Sequence, residues 1–179
     1  MPTYVAFLRA VNVKPRWVKM ELLRKHLSDN GFTSVETHIQ SGNVLVTTSR
    51  RSAAKVRDEL HDLLSVEFGF DIPVVVRTPQ QLRGLAAEVD DLPSPLSADS
   101  RVYVALVDGP VCTAGGKLLD GWAEPGERAL VRGCDVILWL DVPAHSAKLT
   151  NARIERAAGS VVTTRDVKVI RALAERWGS

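Results

Sequence analysis

The side chains that could do chemistry in this chain are few and scattered, so the first question is which of them could meet. The histidines, His26, His38, His61 and His145, show no His-x-x-x-His spacing and no cysteine partner, so a zinc site has no support. Cys112 and Cys134 form no Cys-x-x-Cys pair. They read as reduced thiols of a cytoplasmic protein rather than as a disulfide framework. Arg132 lies close to Cys134 and could lower its pKa, but a lone thiol in a turn is usually inert. Ser41 precedes a glycine yet sits in no Gly-x-Ser-x-Gly elbow, so a hydrolase triad has no support. Neither common glycine-rich phosphate cradle is present, and no cofactor is expected.

What remains is a set of cations and amides in two distant stretches. Arg9, Asn12, Lys14, Arg16 and Lys19 lie in one polar run, and Gln40-Ser41-Gly42-Asn43 forms another. Guanidinium, ammonium and amide donors hold phosphate or carboxylate when they converge. The surrounding elements decide whether they do.

Tyr4 to Val11 is short and apolar and reads as a central strand. Met20, Leu23 and Leu27 recur at helical spacing over 19–30, and Gly31 suits the end of that helix. Val35 to Gln40 and Val44 to Thr48 are strand-like segments around Ser41-Gly42-Asn43, a hairpin signal. Ser52 can cap a helix that carries Val56, Leu60 and Leu64 inward. Ile72 to Val76 is the next strand, and Thr78-Pro79-Gln80-Gln81 has the signature of a capping box.

The order βαββαβ followed by a helix is the ferredoxin-like order. The segment 91–100 holds two prolines and no periodicity, so it reads as a connector between residues 1–90 and 101–179. Arg101 to Val107, a helix ending at 117–122, a hairpin around Gly133-Cys134, a helix over 150–158, a short Val161-Val162 strand and a closing helix repeat the order. Arg77 with 82–86 aligns on Arg165 with 170–174 at one offset, and 39–46 aligns on 131–138 without gaps. Internal duplication explains this echo; so does the hydrophobic pattern that two such units must share. The expected fold is α+β, two ferredoxin-like subdomains with antiparallel sheets.

In that fold the strand order is 4-1-3-2. The hairpin between the second and third strands then lies at the edge where the first strand ends. The Arg9 loop and the Gln40 turn should therefore converge on one rim, with the first helix pointing its free N–H groups there. A plainer reading is that Asn12, Ser41 and Asn43 satisfy their own turns. His38 could be a general base near the rim, or an outward strand residue.

Composition limits the partners. The chain has 179 residues, 45% hydrophobic and 25% charged, with net charge +2, an ordinary globular balance. Nucleic acid stays open as a partner but is disfavoured. The basic surplus is small, and Val44-Leu45-Val46-Thr47-Thr48 offers no aromatic for base stacking. No signal-peptide pattern or long apolar run is present, so no membrane association is expected.

Residues 4–13 (YVAFLRAVNV), 18–23 (VKMELL), Gly31-Phe32 and 39–44 (IQSGNV) resemble the bacterial family called domain of unknown function 1697. The closing residues Lys148-Leu149-Thr150-Asn151, Ile154-Glu155-Arg156, Gly159 and Thr163-Thr164-Arg165 are similar to that family's ending. The resemblance implies two α+β subdomains and no established activity. Of the family's polar positions, Arg9, Asn12, Gln40, Ser41, Asn43 and Arg165 are retained. The family usually has glycine where Ala10 stands and Gly-Gly where Lys14-Pro15 stands. It also tends to have Asn-Trp-Asn-Thr where this chain has Asp166-Val167-Lys168-Val169.

The functional expectation is a binding module for a small anionic or phosphorylated ligand, using Arg9, Asn12, Lys14, Arg16, Gln40, Ser41, Asn43 and Arg165. A phosphoryl- or acyl-phosphate-handling hydrolase is the alternative. Acylphosphatases share the fold and use an Arg and an Asn at an equivalent edge, though their glycine-rich loop is missing here, and the residues do not decide whether the chain is an enzyme. A protein-interaction module is the third reading, with Trp17, Trp122, Trp139 and Trp177 as candidates, each expected in the core instead.

Overall fold

The computed structural model describes residues 1–179. The first half runs β1 (Thr3–Leu8), α1 (Met20–Asp29), β2 (Thr33–His38), β3 (Asn43–Thr47), α2 (Ala53–Phe68), β4 (Val74–Arg77) and α3 (Pro79–Asp91). The second runs β5 (Arg101–Val107), α4 (Thr113–Asp120), β6 (Glu127–Arg132), β7 (Asp135–Leu140), α5 (Asn151–Ala158), β8 (Val162–Asp166) and α6 (Val167–Trp177). Local chemistry sets these boundaries. Ser52 accepts the Lys55 N–H at 3.3 Å to start α2. Thr78 and Gln81 form a reciprocal capping box at 3.2 and 2.8 Å. Gly69 and Gly159 end α2 and α5 in the left-handed conformation.

The chain forms two four-stranded antiparallel sheets, ordered β2-β3-β1-β4 and β6-β7-β5-β8. Each is the ferredoxin-like order. The registers repeat as well. Ala6 pairs with Val44 and Val5 with Arg77 in the first sheet. Ala105 pairs with Val136 and Val104 with Arg165 in the second. These equivalences reproduce the two offsets seen in the sequence, so the halves are alike residue by residue along their sheets.

In the first half Tyr4, Ala6 and Leu8 alternate toward a core shared with Val44, Val46, Leu23, Leu27, Val56 and Leu60. Ala105, Val136, Leu119, Ile154 and Ala158 do the same in the second. Val5, Phe7 and Val75 on the opposite face, and Val104, Leu106 and Ile137 on theirs, are also buried. Burial on both faces is why these strands read as continuous apolar runs rather than alternating ones.

The compact units are Met1–Leu82 with Leu173–Ser179, and Arg83–Ala172. The sequence suggested a division at the 91–100 segment; the contacts divide the chain within α3 and return the end of α6 to the first unit. There the Trp177 indole donates to Glu36 of β2 at 3.1 Å and Arg176 donates to it at 2.9 Å. These bonds hold the Glu36 carboxyl below the usual carboxylate range. β1 is shorter than the sequence suggested, because Ala10 and Asn12 take positive φ values of 53° and 55° and break the extended run. β8 is longer, continuing from Val162 to Asp166.

Candidate functional site

The two polar loops do meet. As β1 ends, the Leu8 N–H donates to the Gly42 carbonyl at 2.8 Å and the Arg9 N–H to the Pro73 carbonyl at 2.9 Å. Asn12 then joins three segments. Its Nδ2 donates to the Gln40 carbonyl, and its Oδ1 accepts the Val18 N–H at 2.9 Å. The following turn closes on itself, Asn12 N–H to Arg16 carbonyl at 2.7 Å and Arg16 N–H to Val13 carbonyl at 2.6 Å. Lys14 and Pro15, joined by a cis peptide bond, form its exposed tip. Val11 and Val18, both buried, pin the loop beneath.

Cations dominate this edge. Lys14 and Lys19 are exposed, and Arg9 and Arg16 are half-buried. Arg16 lies 5.5 Å from the centre of the Phe70 ring, and its Nη1 comes within 3.5 Å of the Asp71 carbonyl. The Asp71 carboxylate is engaged by His61 at 2.8 Å, and Asp62 holds the other ring nitrogen at 2.9 Å. These bonds, Asp71's first, raise the His61 pKa. Lys19 is the N-cap of α1 and no side chain caps that helix, so its first-turn N–H groups have no intrahelical partner. Glu21 in the same turn is the one acidic side chain there.

The eight residues singled out from the sequence take different places. Asn12 and Gln40 are brought together, Lys14 and Arg16 lie on the turn that Asn12 opens, and Arg9 stands at the end of β1 with its N–H on the Pro73 carbonyl. Asn12 and Gln40 contribute the joint itself, Gln40 through its carbonyl. Asn43 is fully buried and its Nδ2 serves the turn, donating to the His38 carbonyl at 3.1 Å and to Ser41 Oγ at 3.0 Å. Ser41 is half-buried above it. Arg165 belongs to the second unit, where it lies in β8 opposite Val104 of β5 and donates to Thr163 Oγ1 at 2.8 Å and the Thr164 carbonyl at 3.0 Å. Burial lowers its pKa to about 10, so it remains a cation at neutral pH. His38 lies edge-on to the Trp177 ring, 6.3 Å between centres, as a packed strand residue.

Two rim residues escaped the sequence reading. Trp17 was expected in the core and is 63% exposed, whereas Trp139 and Trp177 are buried. Ile39, at the start of the hairpin turn, is 51% exposed with φ of 51°, a rare conformation for a β-branched residue. The signal for Trp17 was its setting: Val18 and Met20 alternate inward, leaving Trp17 and Lys19 outward.

The second unit has hollows of its own. One of about 600 Å³ is lined by Asp99, Arg101, Tyr103, Asp166, Lys168 and Arg171, among others. Another, of about 410 Å³, lies between the ends of β5, β7 and β8 and the start of α5. Residues of the closing pattern line it or tie it together. Thr150 caps α5 through the Arg153 N–H at 3.3 Å. Asn151 accepts from Thr164 at 2.5 Å, and Glu155 accepts the Val162 N–H at 3.1 Å. No group of three or more His, Cys, Asp or Glu side chains is placed to hold a metal ion.

Two ferredoxin-like halves, with a cationic loop stapled to a hairpin on the first, define a two-sheet α+β protein. The family model described as "Protein of unknown function (DUF1697)" matches residues 1–136, and the chain belongs to that family. Among solved structures it is similar to one titled "The structure of conserved bacterial protein SP0830 from Streptococcus pneumoniae". The TM-score is 0.74 at 21% identity, over 100% of this chain and 99% of that one. That likeness shows the shared fold. No curated protein matches the chain.

Proposed function

We propose that this protein is a binding module for a small anionic or phosphorylated ligand, taken at the edge between the β1–α1 loop and the β2–β3 turn. The observation that carries this reading is the Asn12 joint. One side chain holds the Gln40 carbonyl and the Val18 N–H together, and so ties the loop that carries Lys14, Arg16 and Lys19 to the hairpin turn, with Lys19 at the uncapped start of α1. Guanidinium, ammonium and helix-start backbone N–H groups complement a phosphate or carboxylate. A cytoplasmic location suits this role, supported by free Cys112 and Cys134. No helix is long and apolar enough to cross a membrane.

Calorimetric titration with inorganic phosphate, pyrophosphate and tripolyphosphate tests the reading. Binding should strengthen with anion charge and weaken with added salt. It should fall about tenfold or more in Arg16→Ala and in the Lys14→Ala/Lys19→Ala pair, since each lost charge-assisted bond is worth about 1.5–3 kcal/mol. Equal affinity in wild type and variants would remove the rim from consideration.

A further inference from the structure

Trp17 stands out because tryptophan carries the largest apolar area of any side chain and is highly buried on average. Here it is 63% exposed. The exposure follows from the loop: Val18 and Met20 take the inward positions, so Trp17 and Lys19 face out together. The closed Val13–Arg16 turn sets Lys14 on the same stretch. An open indole face is thus bracketed by two exposed ammonium groups within residues 14–19.

A ligand suited to both features carries negative charge and a π-face. An acidic peptide would use the lysines and leave the indole idle. A membrane surface would need a contiguous apolar tip. Along these loops exposed Val13 and Ile39 alternate with Lys14 and Gln40, whose polar groups would be dragged into the apolar phase. Base–phosphate ligands match the whole pattern, with stacking on an aromatic ring beside a basic path.

We propose that the rim takes a nucleotide or a short single-stranded nucleic-acid segment, a nucleobase stacking on Trp17 with its phosphate on Lys14 and Lys19. This rests on the anion-binding reading of the same edge and names its ligand class. The aromatic is a loop residue, so the lack of aromatics on β3 does not bear on it.

The test compares tripolyphosphate, ATP and a short oligothymidylate on wild type, Trp17→Ala, Trp17→Phe and Lys14→Ala/Lys19→Ala. Melting temperatures check that each variant folds, which the exposure of all three positions favours. Trp17→Ala should bind ATP or the oligonucleotide about tenfold more weakly, Trp17→Phe should recover most of that loss, and tripolyphosphate should not distinguish them. The lysine pair should weaken all three ligands. Preference for the oligonucleotide over ATP supports a strand as the ligand, and the reverse supports a mononucleotide. If Trp17→Ala binds the base-bearing ligands like wild type while tripolyphosphate still binds, the stacking proposal fails and the anion reading stands. If no probe binds, both fail. Association with phosphatidylserine vesicles in place of nucleotides also overturns the proposal.

Discussion

Gly42 and Val11 approach so closely that any side chain at position 42 must displace its neighbours. A Cβ built on Gly42 would stand 2.6 Å from Val11 Cγ2 and 2.8 Å from Leu8 Cβ. The turn therefore lies directly on the end of β1 and the loop that follows, and the rim is a packed joint rather than two loops sharing an edge.

Gly42→Ala should accordingly be among the costliest single-methyl additions in the protein. Its φ of +77° penalises any Cβ by about 1–2 kcal/mol, and overpacking against Leu8 and Val11 adds about 1–3 kcal/mol. The melting temperature should drop by roughly 5–15 °C. An unchanged melt would show that the turn is not seated on Val11.

Ala10→Gly should go the other way. Ala10 is held at φ 53°, where glycine avoids about 1–2 kcal/mol of strain. The greater freedom of glycine in the unfolded chain takes back about 0.5–1 kcal/mol. The net is a gain of about 0.5 kcal/mol, read as a small rise in melting temperature. A fall would mean that the Ala10 methyl makes contacts worth more than the strain it causes.

His61 should make stability depend on pH near the rim. Its hydrogen bonds to Asp71 and Asp62 raise its folded pKa above the ordinary 6.5. Its contribution is then fully present below 6.5 and lost as pH rises through the raised folded value. Solvent screens the half-open side chain, so the effect is small. The gap in melting temperature between wild type and His61→Asn should be wider in mildly acidic than in alkaline buffer. A gap constant across that range would show that the imidazolium is not paired.

Much of this protein follows from its amino-acid sequence because the deciding physics is local. Ser52, the Thr78/Gln81 box, Thr150 and Gly159 mark helix ends through bonds to backbone groups a few residues away. Apolar spacing assigns strands and helices, and the βαββαβ order with antiparallel pairing then puts the Arg9 loop and the Gln40 turn on one edge. Tertiary structure decided what depends on competition for the same space. Val18 and Met20 occupy the inward positions, so Trp17 is left in solvent although its own chemistry favours burial. Asn43 spends its amide inside the turn because the hairpin buries it. Trp177 and Arg176 reach Glu36 across 140 residues or more of chain, a pairing no local pattern encodes. A side chain's polarity is a property of the residue, but its exposure is settled by its neighbours.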